Sequence, residues 1–158
     1  MDAARRRALI DHYKDGYRAV VEALAGATDE ELDARPGPDK WSAREIVHHL
    51  ADSEMTAAIR LRLLIAAPGT AIAGYDQDEF ARRLHYDRPI DASLEAFKAA
   101  RSATVEIVER LTDEEWAREG THSEIGRYTV DKWLEIYSEH PHQHARQIAV
   151  ARASAKSR

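Results

Sequence analysis

Along four stretches of this chain apolar residues return every three or four positions, and almost nowhere do they alternate. The first stretch carries Ile10, Tyr13, Tyr17, Val20, Val21 and Leu24 and ends near Gly26. The second opens at Ser42, which with Glu45 has the sequence of a capping box, and runs to about Ala67, where Pro68 and Gly69 stop it. Leu94, Phe97, Val105, Val108 and Leu111 mark the third. Thr129 can cap the fourth, which carries Trp133, Ile136 and Tyr137. A period near 3.6 held over such lengths describes amphipathic helices, each with one face to bury. Four of them in 158 residues predict an all-α fold, a four-helix bundle forming a single domain over residues 1–158.

The connections carry their own signals. The breaker Pro36-Gly37-Pro38 precedes the second helix, and the middle connection, longer than its neighbours, holds a short helix in DQDEFARRL. The phrases TDEEL and TDEEW are read as turns, and REGTHSEIGRY as a glycine-containing link without a strand pattern. A net charge of -5 repels phosphate backbones, so nucleic acid is not expected as a partner. No apolar run is long enough to span a membrane, and the charged first residues lack the apolar core of a secretory signal, so a cytoplasmic location is expected.

Cysteine is absent, so any metal must rest on nitrogen and oxygen ligands. Eight histidines are present, and a helical wheel sorts most of them. On the second long helix His49 shares the stripe of Ile46, Leu50, Ser53, Ala57 and Leu61, whereas His48 points away. On the last, His140, His144 and Gln147 share the stripe of Trp133, Tyr137 and Ile148, with His142 on the far side. His12, His48, His85, His122 and His142 are read as surface or loop residues. Two imidazoles four residues apart can bind one ion or can be hydrogen-bonded core residues. A third inward histidine favours the ion, because burying three imidazoles without a shared purpose is unfavourable.

Three neutral imidazoles would leave room at a metal for water or substrate, the open arrangement of a catalytic site. Zinc in such a site brings bound water to a pKa of about 7 in a favourable case, and nickel also suits these ligands. Gln147 is the candidate to hold a ligand or the water in place. Arg60 and Arg101 lie on or near inward stripes, as substrate-binding residues or as internal ion pairs. Pro141 removes the amide that would bond the Tyr137 carbonyl, which predicts a kink or local widening beside His140. Trp41 is either a packing anchor or the border of a pocket.

WSAREIVHHLADSE at 41–54, GYDQDEF at 74–80 and EHPHQHARQI at 139–148 together resemble the DinB/YfiT-like superfamily of metal-dependent enzymes. The resemblance implies a four-helix bundle whose nickel or zinc is held by His49 of an H-L-x-D motif and by His140 and His144 of an H-x-x-x-H motif. It also implies a small-molecule substrate, a homodimer, and either hydrolysis by activated water or transfer of a low-molecular-weight thiol of the bacillithiol or mycothiol kind. The different-class alternative is a non-catalytic metal-binding or stress-response module.

Overall fold

A computed structural model describes residues 1–155. Four long helices dominate it: α1 (Ala3–Leu24), α3 (Ala43–Ala66), α5 (Asp91–Val108) and α7 (Val130–Ala155). Short helices α2 (Asp29–Asp33), α4 (Gln77–Arg83) and α6 (Asp113–Trp116) lie in the connections. The expected caps form. Ser42 Oγ accepts from Glu45 N at 3.2 Å while Glu45 Oε2 accepts from Ser42 N at 2.8 Å, which pins the start of α3. Lys132 N donates to Thr129 Oγ1 at 3.0 Å where α7 begins.

The two echoing phrases are helices rather than turns. In each, a threonine and the glutamate three residues on close a capping box, Thr28 with Glu31 and Thr112 with Glu115, and one or so helical turns follow. The link before α7 also departs from expectation. It folds into strands β2 (Glu119–His122) and β3 (Gly126–Thr129), antiparallel, with β1 (Ala71–Ile72) parallel to β2 on its other side. Gly126, at φ +80, makes the turn between β2 and β3. Strands of two to four residues are too short to display an alternation that sequence reading can detect.

Around the bundle α1 packs on α7 and α5, and α3 packs on α5 and α7. The consecutive helices α1 and α3 are thus diagonal, as are α5 and α7. The first and last connections cross the bundle, and only the middle one joins neighbours.

The core has two apolar lobes. Tyr13, Leu61, Trp133 and Leu134 build one, and Val20, Ile46, Leu50, Phe97 and Ile148 the other. A fully buried leucine such as Leu50 contributes about 1.5–3 kcal/mol by leaving water. Between the lobes runs a polar layer. Arg101 of α5 pairs with Glu54 of α3, which also receives the Tyr13 hydroxyl of α1. Arg101 further donates from Nε to Tyr13 O at 2.8 Å and from Nη2 to Tyr137 O at 2.9 Å.

That last bond answers the proline. Pro141 sits inside a continuous α7 and cannot supply an amide to Tyr137 O, so the guanidinium supplies the donor instead. Gly16 of α1 faces this joint. A Cβ there would stand 2.5 Å from Pro141 Cγ and 2.9 Å from Arg101 Nη2, so only glycine lets α1 come this close.

Candidate metal centre

Helix α3 delivers His49, and α7 delivers His140 and His144, to one point at the end of the polar layer. His140 Nε2 lies 3.0 Å from His144 Nε2 and 3.2 Å from His49 Nε2. Such separations match two ligands each about 2.0–2.1 Å from a shared ion. Among the described residues no carboxylate joins the cluster, and the chain has no thiol to do so. Among the described residues the donor set is therefore three imidazoles, with no fourth histidine and no carboxylate joining them.

Their protonation suits a cation. Burial, and then the neighbouring His144, push the His49 imidazole down to about 3. Burial takes His144 to about 4 against the pull of Gln147. His140 falls well below the ordinary histidine range through burial, with His144 and His49 adding to it. All three are neutral near pH 7. Gln147 Oε1 lies 2.7 Å from His144 Nδ1 and can only accept, so the proton rests on Nδ1 and the Nε2 lone pair faces the cluster. His49 Nδ1 is buried without a partner, and the Trp41 ring packs 4.7 Å from the His49 ring.

A cleft of about 780 Å³ opens beside His144. Trp41, Ile46, Lys40, Gln143 and Gln147 are among its lining residues, so Trp41 borders a pocket as well as packing. Its volume suits a small molecule.

The other histidines divide differently from the wheel. His85 is exposed on its loop, whereas His12 and His142 are half-buried and stack with centroids 3.7 Å apart between α1 and α7. His142 points away from the cluster, its Nε2 donating to His12 O at 3.0 Å. His48, expected on the surface, is completely buried. Its Nε2 donates to Arg88 O at 3.0 Å and its Nδ1 meets Ser93 Oγ at 2.7 Å. The segment from Tyr86 to Ser93 covers the back of α3, so this helix buries both faces and a one-face wheel misplaces His48. His122 is likewise buried, on β2, and its ring lies 5.3 Å from that of Tyr128.

The two arginines separate. Arg101, a sequence candidate for substrate binding, is spent on Glu54 and two backbone carbonyls and does not reach the cleft. Arg60 donates to the Tyr137 hydroxyl at 2.9 Å and to Ala73 O at 2.7 Å. Glu54 carries no motif that marks it in the sequence, although an inward arginine on another helix calls for such a partner.

Comparison with known proteins agrees with this architecture. The family description "DinB superfamily" matches residues 12–148, and the chain belongs to that family. "Putative metal-dependent hydrolase OB0782" of Oceanobacillus iheyensis is 31% identical over 88% of this chain and 81% of its own length. "Putative metal-dependent hydrolase BH0277" of Halalkalibacterium halodurans is 23% identical over 83% of this chain and 77% of its own. Among solved structures, YfiT from Bacillus subtilis, described as "a probable metal-dependent hydrolase with an unusual four-helix bundle topology", superposes with a TM-score of 0.88. It is 25% identical, and the match covers 94% of this chain and 86% of that one. The diagonal placement of consecutive helices found here is itself a departure from the simple up-and-down bundle.

Proposed function

We propose that this protein is a metal-dependent hydrolase whose divalent ion, zinc or nickel, is held by His49, His140 and His144. One observation carries the reading: three neutral imidazole nitrogens converge beside a cleft and, among the described residues, no fourth histidine or carboxylate joins them. Structural zinc sites are closed by four protein ligands, whereas catalytic ones keep a position open. A divalent ion bound there would supply Lewis acidity and would lower the pKa of a water, or of a thiol brought in as co-substrate.

The residues of the chain do the rest. Gln147 fixes the tautomer and plane of His144 by taking its Nδ1 proton in a hydrogen bond. Trp41 packs on His49 and also forms part of the cleft wall, so it both braces the ligand and presents an apolar surface to the substrate. The polar layer sets the height of α7 against α3, because Arg101 ties Tyr137 O to Glu54 one turn before His140.

The test is metal analysis of untagged protein purified without chelator, with His49→Ala and His144→Ala beside it. About one ion per chain, lost in both variants, is the expected result. Hydrolysis of ester and amide substrates is then measured with and without an added low-molecular-weight thiol. Failure of the wild type to take up zinc or nickel after reconstitution would overturn the reading.

A further inference from the structure

Among the described residues two arginines, Arg60 and Arg101, are buried, and they are treated unequally. Arg101 has a carboxylate. Arg60, 9% exposed, has none: its bonds go to the Tyr137 hydroxyl and to Ala73 O, and its Nε has no partner. A guanidinium carries five N–H groups, so much of its capacity is unused. The carboxylates nearby on α3 are engaged elsewhere, Asp52 accepting from the Tyr86 hydroxyl at 2.6 Å and Glu54 held by Tyr13 and Arg101.

The surroundings add hydroxyl groups, each able to donate to an anion. The Tyr75 and Tyr128 hydroxyls are buried, and neither has a well-formed hydrogen bond: Ser53 lies near the first and the Tyr137 hydroxyl near the second. The Tyr75 ring stands 5.8 Å from Arg60 Cζ. Tyr128 is 1% exposed, on β3 behind Tyr137. A buried cation with an idle Nε, beside two hydroxyls that lack a well-formed hydrogen bond, is costly unless something anionic completes it.

Position supports that completion. Tyr137, bonded to Arg60, lies one turn before His140 on α7, and their rings are 6.1 Å apart. The segment from Ala73 to Phe80 starts on Arg60 and reaches Asp78 at the wall of the cleft, with Tyr75 and Phe80 packed at 4.6 Å. Arg60 and the histidine cluster thus share one side of the bundle.

Resting on the reading of that cluster as a metal centre, we propose that Arg60, with the Tyr75 and Tyr128 hydroxyls, receives an oxyanion of the substrate, a carboxylate or a phosphate. An oxyanion accepts from N–H and O–H together and supplies the missing countercharge. The substrate is then a small anionic molecule whose charged end is held on the Tyr137 side of His140 while its reacting end meets the three histidines.

The test uses metal-free protein, so that no ion can hold the probe. Thermal unfolding is followed with sodium acetate, sodium phosphate or sodium chloride at matched ionic strength. Acetate or phosphate is expected to stabilise the wild type beyond chloride, and whichever acts at lower concentration identifies the oxyanion. Arg60→Met should weaken that apparent affinity at least about tenfold. Tyr75→Phe removes a hydroxyl without a well-formed hydrogen bond, so it should change the stability in chloride little and still reduce the response several-fold. Tyr75→Phe serves if Arg60→Met fails to fold. Equal responses of the wild type and Tyr75→Phe, or no response beyond chloride, would overturn the oxyanion site. Metal uptake by Arg60→Met or Tyr75→Phe is read separately, so loss of this site leaves the metal reading standing and the reverse also holds.

Discussion

Replacing Gly16 by alanine should destabilise the protein, against the usual sign. In a helix interior that exchange favours folding by about 1 kcal/mol, through propensity alone. Here the added Cβ would meet Pro141 Cγ at 2.5 Å and Arg101 Nη2 at 2.9 Å, whereas carbon atoms rest about 3.5–4.0 Å apart. Neither neighbour can retreat. The proline ring is fixed to the α7 backbone, and Arg101 is held by Glu54, Tyr13 O and Tyr137 O. Overpacking of a tight core costs about 1–3 kcal/mol, which exceeds the propensity gain, and a clash this deep belongs at the upper end. A net loss of about 1–2 kcal/mol follows. With a urea slope of about 1–3 kcal/mol/M, the unfolding midpoint followed by circular dichroism should fall by very roughly 1 M. The strain is relieved by moving α1 from α7 beside His140, so zinc affinity should fall as well. Gly16→Ala combined with Pro141→Ala should recover part of the loss, since the Arg101 contact remains. A midpoint equal to or above the wild type would refute the close approach of α1.

Three further outcomes are expected. Gln147→Leu should weaken metal binding about 10–100-fold in competition with a chelator, while His142→Ala, whose ring lies against His12, keeps the metal. Arg101→Met should lower stability by about 3–5 kcal/mol in urea titrations, because Glu54 is left buried without its countercharge; exchanging Glu54 for leucine as well should restore much of this. The metal-free protein should lose stability as the pH falls from about 6.5, the ordinary histidine value, towards 4. In that window the unfolded chain binds protons that the folded His49, at about 3, and His144, at about 4, refuse, and each refused proton costs about 1.4 kcal/mol per pH unit. A flat profile in chemical denaturation across this range would contradict the neutral, buried cluster.

The helices and the three histidines were legible because each rests on one local period. His49 and His140 can be placed relative to the apolar stripe of their own helix without knowing what lies opposite. His48 and Glu54 could not be read this way. His48 is buried by residues some forty positions further on, and the partner of Glu54 lies 47 positions away on another helix. The diagonal order of the helices was hidden too, since periodicity says that a face is buried but not against which neighbour. Three strands of two to four residues carry too few positions for alternation to stand out, yet they place Tyr128 and His122 beside Arg60.

The pairing of α1 with α7 also bears on how the chain is made. At roughly 5–20 residues per second, the roughly one hundred residues between Leu24 and Val130 take roughly 5–20 s to synthesise. Throughout that interval the face of α1 that carries Leu9, Tyr13 and Gly16 lacks its main partner. Helices α3 and α5, joined by the connection that links neighbours, are both made before α7 and pack on each other, but α1 must wait for its main partner. On the ribosome α1 is therefore the segment most in need of protection, and His49 is made 91 residues before His140, so the three-histidine cluster cannot assemble until α7 has emerged.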